Sequence, residues 1–192
     1  MSSIKETKKK ATGNRPLWRL YVGLGNPGDA YANTYHNVGR QCLDALWGGR
    51  DPIPWKTIKG KPFLLAQKDG VYYAVLTGYM NASGPALKSV SAYCKIPLDE
   101  ILVCHDDSDM AVGKFKIVSN QRSAGHKGVQ SIIDTFGTQN FWRCKIGIRP
   151  AAETVRQKAE EFVLKKIKKE DHAILTETFD RIAHEITTVP RD

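Results

Sequence analysis

The sequence predicts an α/β protein: a single domain with a mixed, twisted β-sheet flanked by helices. Three observations predict it. Short β-prone runs alternate with segments whose apolar residues recur at helical spacing, and one pair of runs meets at a tight turn as a hairpin. The chain of 192 residues is also long enough to bury about 70% of its unfolded surface around one core. A hairpin inserted among strand–helix–strand units requires both antiparallel and parallel neighbours, hence a mixed sheet.

Leu20, Tyr21 and Val22 form the first strand, which ends at the glycines Gly23, Gly25 and Gly28, and Asp29 to Thr34 continue as a polar loop. Val38, Cys42, Ala45 and Leu46 then share a helical face that stops at Gly48-Gly49, and Asp51 to Pro54 is a linker. Phe63 to Gln67 and Val71 to Thr77 pair across the turn Lys68-Asp69-Gly70. After a polar loop through Thr77–Gly84, a helix presents Leu87, Val90 and Cys94 on one side, with Ser83 as its expected N-cap and Pro85 in its first turn. Ile101 to Cys104 is a short strand that runs into His105-Asp106-Asp107, and Lys114 to Val118 is a further strand. A helix after Gly128 aligns Val129, Ile132, Ile133 and Phe136, and Phe141 to Ile148 makes the last strand. A final helix aligns Leu175, Phe179, Ile182, Ala183 and Ile186.

The formal charge of +9 divides unevenly: residues 1 to 19 hold six Lys and Arg against Glu6. Residues 1–16 therefore read as a disordered basic tail that could touch RNA, and 17–192 as the domain. The remaining charge suits phosphate contacts in one groove. No apolar run approaches the roughly 20 residues of a membrane span, so no membrane partner is expected. Cys42, Cys94, Cys104 and Cys144 are widely spaced with no Cys-x-x-Cys, which argues against a zinc site and for buried thiols in a reducing compartment.

Gly23-x-Gly25-x-x-Gly28 after a strand also matches the dinucleotide-binding fingerprint. That reading requires a helix opening within the glycines and an acidic residue ending a second strand, whereas the loop continues and Asp44 falls mid-helix. The stronger signal is one histidine, His36, with a strand-end aspartate, Asp106, and the asparagines Asn26 and Asn81. A histidine can take a proton from water near neutral pH, a carboxylate can fix its tautomer, and Asn amides can donate to a developing oxyanion. No Gly-x-Ser-x-Gly elbow competes for the nucleophile role. Individually each residue also has an ordinary reading, as a surface imidazole, a turn former or a cap.

Five stretches taken together resemble the successive motifs of the bacterial-type peptidyl-tRNA hydrolase family. They are GLGNPGDAYANTYHNVG (Gly23–Gly39), TGYMNASG (Thr77–Gly84), HDDSDMAVGKFK (His105–Lys116), GHKGVQSI (Gly125–Ile132) and FWRCKIGIRP (Phe141–Pro150). The match in order and spacing runs over about residues 17 to 187. The resemblance implies a monomeric, cofactor-free and metal-free hydrolase that cleaves the ester between a peptide and the 3′ ribose of tRNA, in the cytoplasm or the mitochondrial matrix. It implies His36 as general base on water and Asp106 as its orienter. Asn26, Tyr31, Met80, Asn81 and Lys127 would meet the substrate, and Lys114, Lys116 and Lys145 the phosphates of the acceptor stem beside the CCA end. Lys114 and Lys116 also flank Phe115 as an ordinary amphipathic strand would have them. The chain departs from the family at three positions: Tyr35 stands where Arg is usual, Lys127 where Asn is usual, and Lys145 where Arg is usual. A non-catalytic RNA-binding relative, such as an organellar splicing factor, is the alternative, favoured by the basic tail and Lys127.

Overall fold

Seven strands form one sheet in the order β2-β3-β4-β1-β5-β7-β6 in the computed structural model, which describes residues 17–150 and 162–188. The basic tail expected at 1–16 lies outside the described residues. The strands are β1 (Leu20–Gly23), β2 (Lys56–Thr57), β3 (Phe63–Lys68), β4 (Val71–Leu76), β5 (Ile101–Ala111), β6 (Phe115–Val118) and β7 (Trp142–Arg149). β4, β1, β5 and β7 run parallel; β6 pairs antiparallel with β7 at one edge, and at the other β3 pairs antiparallel with β4 and β2 antiparallel with β3. The expectation of one mixed α/β sheet flanked by helices is borne out.

Alternation along β1 shows how the sheet is buried. Tyr21 joins one core cluster, while Leu20 and Val22 join the other. Helices α2 (Val38–Trp47) and α5 (Lys169–Thr187) cover the first face through Val38, Cys42, Leu46, Leu175, Phe179 and Ile182. α3 (Ser83–Cys94) and α4 (Lys127–Phe136) cover the second through Leu87, Val90, Val129 and Ile132. With both faces covered, the central strands have to be apolar on both sides, which is why β1 reads as a continuous apolar run. No helix among the described residues is long and apolar enough to cross a membrane.

Four local expectations change. The two-residue turn between β3 and β4 is Asp69-Gly70, both with positive φ, so Lys68 belongs to the strand. Within the expected loop after Gly28, Asp29–Ala32 makes a single helical turn, α1. Ser83 is not the N-cap of α3: a 3-10 turn at Met80–Ala82 leads into the helix, and Ser83 Oγ donates to Met80 O instead. Finally, Asp106 lies within a strand rather than at its end. β1 stops at Gly23 opposite Cys104, whereas β5 continues beside β7 as far as Ala111. Asp106 therefore stands just past the end of the central strand, where the sheet opens.

The approach of α2 to that opening is close. A Cβ on Gly23 would lie 2.6 Å from Gly39 O, and one on Gly39 would lie 2.9 Å from Leu24 O and closer still to Cys104 O. Only glycines allow the helix to begin this near β1 and β5, and that nearness brings the preceding turn, Tyr35–Asn37, over Asp106.

Candidate active site

His36 sits in the 3-10 turn that enters α2, and its backbone N–H donates to Val163 O at 2.8 Å. Its ring Nδ1 lies 2.8 Å from Asp106 Oδ1. An ionised carboxylate only accepts, so Nδ1 carries a proton, and in the neutral form of the ring Nε2 holds the lone pair. Nε2 has no hydrogen-bonding partner among the described residues. A second imidazole meets the same oxygen: His126 Nε2 is 2.9 Å from Asp106 Oδ1. The tautomer of His126 is set from its other side, because Gly128 N and Val129 N both donate to its Nδ1, at 3.1 and 3.2 Å. His126 is thereby the N-cap of α4 as well as a donor to Asp106.

Asp106 is 3% exposed. Burial alone would push its carboxyl up, but the neighbouring His126 and His36, with the hydrogen bonds from both, hold it well below the usual carboxylate range. His105, on the adjacent strand position, donates from Nδ1 to Asp106 O at 2.7 Å, and its Nε2 is buried without a partner. Burial, with His126 close by, keeps its ring neutral to well below the ordinary histidine range. The result is one fixed anion that accepts from two imidazoles, one of which faces open space.

That space is a cavity of about 320 Å³ lined by His36, His105, Asp106, His126, Lys127 and Lys145, among others. Val163 and Leu164 wall one side, and Ser123, Ala124 and Gly125 another. Arg143, fully buried, anchors the second wall by donating to the carbonyls of Gln121 and Arg122. Lys145 reaches the cavity from β7 and pairs with Asp107 at 2.6 Å. Lys116 is register-paired with Lys145 on β6, and Lys114 is in the turn just before that strand; both are exposed.

The remaining candidates lie on the far side of His36, next to β1 and β4. Asn26 is buried and ties two loops together: its Oδ1 accepts from Met80 N at 2.9 Å, and its backbone N and O are held by the Asn37 amide. Arg40 Nη1 also donates to Asn26 O. Met80 is buried, Tyr31 packs edge-on against exposed Tyr79, and Asn81 is exposed in a neighbouring groove with Gln130 and Ser131. Lys127 lines both this groove and the cavity, and so connects them. None of Asn26, Tyr31, Met80 and Asn81 lines the cavity itself.

A metal is a second use for such a cluster. His36, Asp106 and His126 each offer one ligand atom, all within 4.8 Å of one another. The separations from Asp106 Oδ1 are, however, those of N–H···O bonds, whereas donors around a tetrahedral zinc stand about 3.3 Å apart. His126 Nδ1 is already an acceptor for two amides, so its Nε2 proton is fixed against coordination. The glycine loop offers no better cofactor cradle: the space beside Gly25 is filled by Arg40 and Asn37, and Asp44 lies exposed on α2.

A family model of peptidyl-tRNA hydrolase matches residues 20–192. The chain belongs to the peptidyl-tRNA hydrolase family. It is 40% identical over 176 residues to the peptidyl-tRNA hydrolase of Thermodesulfovibrio yellowstonii, covering 88% of this chain and 91% of that one. It is 36% identical over 165 residues to that of Nitrosomonas eutropha, covering 84% of each. The crystal structure of the peptidyl-tRNA hydrolase from Acinetobacter baumannii superposes with a TM-score of 0.76 at 28% identity, over 88% of this chain and 87% of that one. The resemblance carried by five short motifs thus extends to the whole peptidyl-tRNA hydrolase fold.

Two residues that shape the candidate site escaped the sequence reading. His126 stood in a recognised motif, but nothing local indicated that its Nε2 would share an oxygen with His36. Arg143 sat in an apolar strand with no sign of the loop it holds. The departure at Tyr35 also acquires a structural setting: its ring is buried, and its hydroxyl donates to Asp171 at the start of α5.

Proposed function

We propose that this member of the peptidyl-tRNA hydrolase family splits the ester joining a peptide to the 3′ ribose of tRNA, with His36 as general base. The observation that carries the reading is the His36 ring itself: Nδ1 is held by a buried carboxylate and the ring lines the cavity, so the neutral form offers the Nε2 lone pair there. In the reaction Nε2 takes a proton from water as the oxygen attacks the ester carbonyl carbon. The imidazolium that forms is stabilised by Asp106, and the proton passes to the departing ribose oxygen as the tetrahedral intermediate collapses. The products are a peptide carboxylic acid, which ionises to the carboxylate by releasing the second water proton to solvent, and tRNA with a free terminal hydroxyl.

The order of strands supports one direction for the substrate. Lys116 and Lys145 stand at the β6/β7 side, His36 and Asp106 in the middle, and Asn26, Met80 and Asn81 at the β4 side. The acceptor stem and CCA end would enter over Lys114, Lys116 and Lys145, whose phosphate contacts need no base sequence. The peptide would leave past Asn81, Tyr31 and Met80, with Lys127 between the two. Asn26, pinned to Met80, would hold substrate or water in register. The reading takes the enzyme as a monomer. The reading calls for a compartment where peptidyl-tRNA is made, the cytoplasm or the mitochondrial matrix.

The test is release of N-acetyl-amino acid from N-acetyl-aminoacyl-tRNA by the wild type and by His36→Ala. Release by the wild type and none by a folded His36→Ala is expected. Full turnover by the variant refutes His36 as base, and no release by either, with tRNA still bound, makes the protein a binding relative. Lys116→Ala should weaken tRNA binding and lower the salt dependence by about one phosphate contact.

A further inference from the structure

The catalytic turn is held by a second piece of chain. Residues 162–168, a turn closed by Lys165 N donating to Phe162 O at 2.8 Å and then a short extended stretch, meet Asn33–His36 through backbone hydrogen bonds. His36 N donates to Val163 O at 2.8 Å, Tyr35 N to Lys165 O at 3.3 Å and Ile167 N to Asn33 O at 3.0 Å, while Thr34 and Lys166 form an antiparallel bridge. Lys166 Nζ adds a bond to Ala30 O at 2.8 Å. This strap also presents Val163 and Leu164 to the cavity.

At the end of the strap the side chains lock. Tyr35 is 2% exposed, packs edge-on against Phe162 with ring centroids 5.7 Å apart, and donates its hydroxyl to Asp171 Oδ2. The same hydroxyl accepts from Lys168 N at 3.3 Å. Asp171 is itself 5% exposed and stands in the first turn of α5, where the helix dipole favours an anion. One phenol therefore joins three parts of the fold: the turn that carries His36, the strap, and the helix that covers this face of the sheet.

We infer that Tyr35 and Asp171 are positioning residues, which lock the 162–168 strap to the catalytic turn and so fix the His36 ring on Asp106. The inference rests on the reading of His36 as the base. The chain of cause is short. Tyr35 and His36 are consecutive in one 3-10 turn, so freedom at one is freedom at the other. The His36 ring is aimed by two bonds, its backbone N–H to the strap and its Nδ1–H to Asp106. Releasing the strap leaves the second bond to do this alone, and small misplacements of a reacting group are costly in rate. The hydroxyl achieves this while staying neutral: burial, then the bond to Asp171, push its ionisation up to about 12.

The test compares Tyr35→Phe, which keeps the ring and removes only the hydroxyl, with the pair Asp171→Asn and Asp171→Leu. The first of that pair keeps an acceptor for the phenol, and the second does not. Tyr35→Phe and Asp171→Leu should each lower kcat roughly tenfold with KM within about twofold. Asp171→Asn should stay near the wild type, and the double variant should be no worse than either single, since all act through one link. Nitrogen-15 shifts of the His36 ring supply a readout independent of activity: one Nδ1–H tautomer in the wild type and a mixture in the released variants. A folded Tyr35→Phe with wild-type kcat and a single tautomer overturns the inference, as does a rise in KM alone. Should Tyr35→Phe fail to fold, the Asp171 pair decides, because equal behaviour of Asn and Leu there also overturns it. An inactive wild type would refute the hydrolase reading, while the ring shifts would still show whether Tyr35 holds His36.

Discussion

Asp106→Asn isolates the charge of the site from its geometry. Both His36 Nδ1–H and His126 Nε2–H point at the same oxygen, Oδ1, from 2.8 and 2.9 Å. Two donors converging there oblige the carboxamide of the variant to present its carbonyl, so both tautomers are kept and only the negative charge is lost. In the proposed mechanism that charge stabilises the imidazolium formed when His36 takes a proton. At a charge separation of about 4 Å and an effective dielectric constant near 20, the attraction is about 4 kcal/mol. At about 1.4 kcal/mol per decade, kcat should fall by about 10³. KM should change little, because in the proposed mechanism Asp106 acts through the His36 ring rather than by binding substrate. The assay is steady-state release from N-acetyl-aminoacyl-tRNA at saturating substrate near pH 7. A folded variant that retains a tenth or more of the wild-type kcat would refute the electrostatic role. A second readout follows from the depressed carboxyl. The unfolded chain takes up its proton near pH 4 while the folded chain does not, so the contribution of Asp106 to stability is full above about pH 4 and declines below it. Acid unfolding should be shallower in Asp106→Asn by at most about 1.4 kcal/mol per pH unit.

Three further outcomes follow from the same geometry. His126→Ala removes the cap of α4 and one of the two donors to Asp106; urea unfolding should show a loss of about 1 kcal/mol, with a smaller fall in kcat than for Asp106→Asn because the His36–Asp106 bond remains. Gly39→Ala forces a methyl against Leu24 O and Cys104 O, which are backbone atoms in a packed sheet and cannot turn aside. It should cost about 2 to 3 kcal/mol in urea unfolding and reduce activity by shifting the His36 turn. Arg143→Met keeps the stem but releases the carbonyls of Gln121 and Arg122. Hydrogen exchange across residues 119–125 should accelerate and KM should rise, and unchanged exchange would show that the loop does not depend on Arg143.

What the sequence alone determined about this protein was local. Alternation and helical spacing located β1, β3, β4, β6, β7 and helices α2 to α5 to within a few residues. The reason is that periodicity is imposed by the solvent boundary of each element, one residue after another. Gly23 and Gly39 were visible as motif glycines, and the family was legible because five motifs kept their order. Turn details were less legible: Ser83 looked like a cap, but the Met80–Ala82 turn offered its hydroxyl a carbonyl first.

The site itself was a tertiary decision. His36 and Asp106 are 70 residues apart, Asp106 and His126 are 20 apart, and Tyr35 and Asp171 are 136 apart. No spacing rule links such positions, because their meeting depends on which strands pair and where each one stops. β1 ends opposite Cys104 while β5 runs on beside β7, and that difference in length places Asp106 under a turn that two glycines allow to come close. The sharing of one oxygen by two imidazoles, the anchoring of the 121–122 carbonyls by Arg143 and the lock between Tyr35 and Asp171 all follow from sheet register and helix docking. Packing, rather than local preference, sets those.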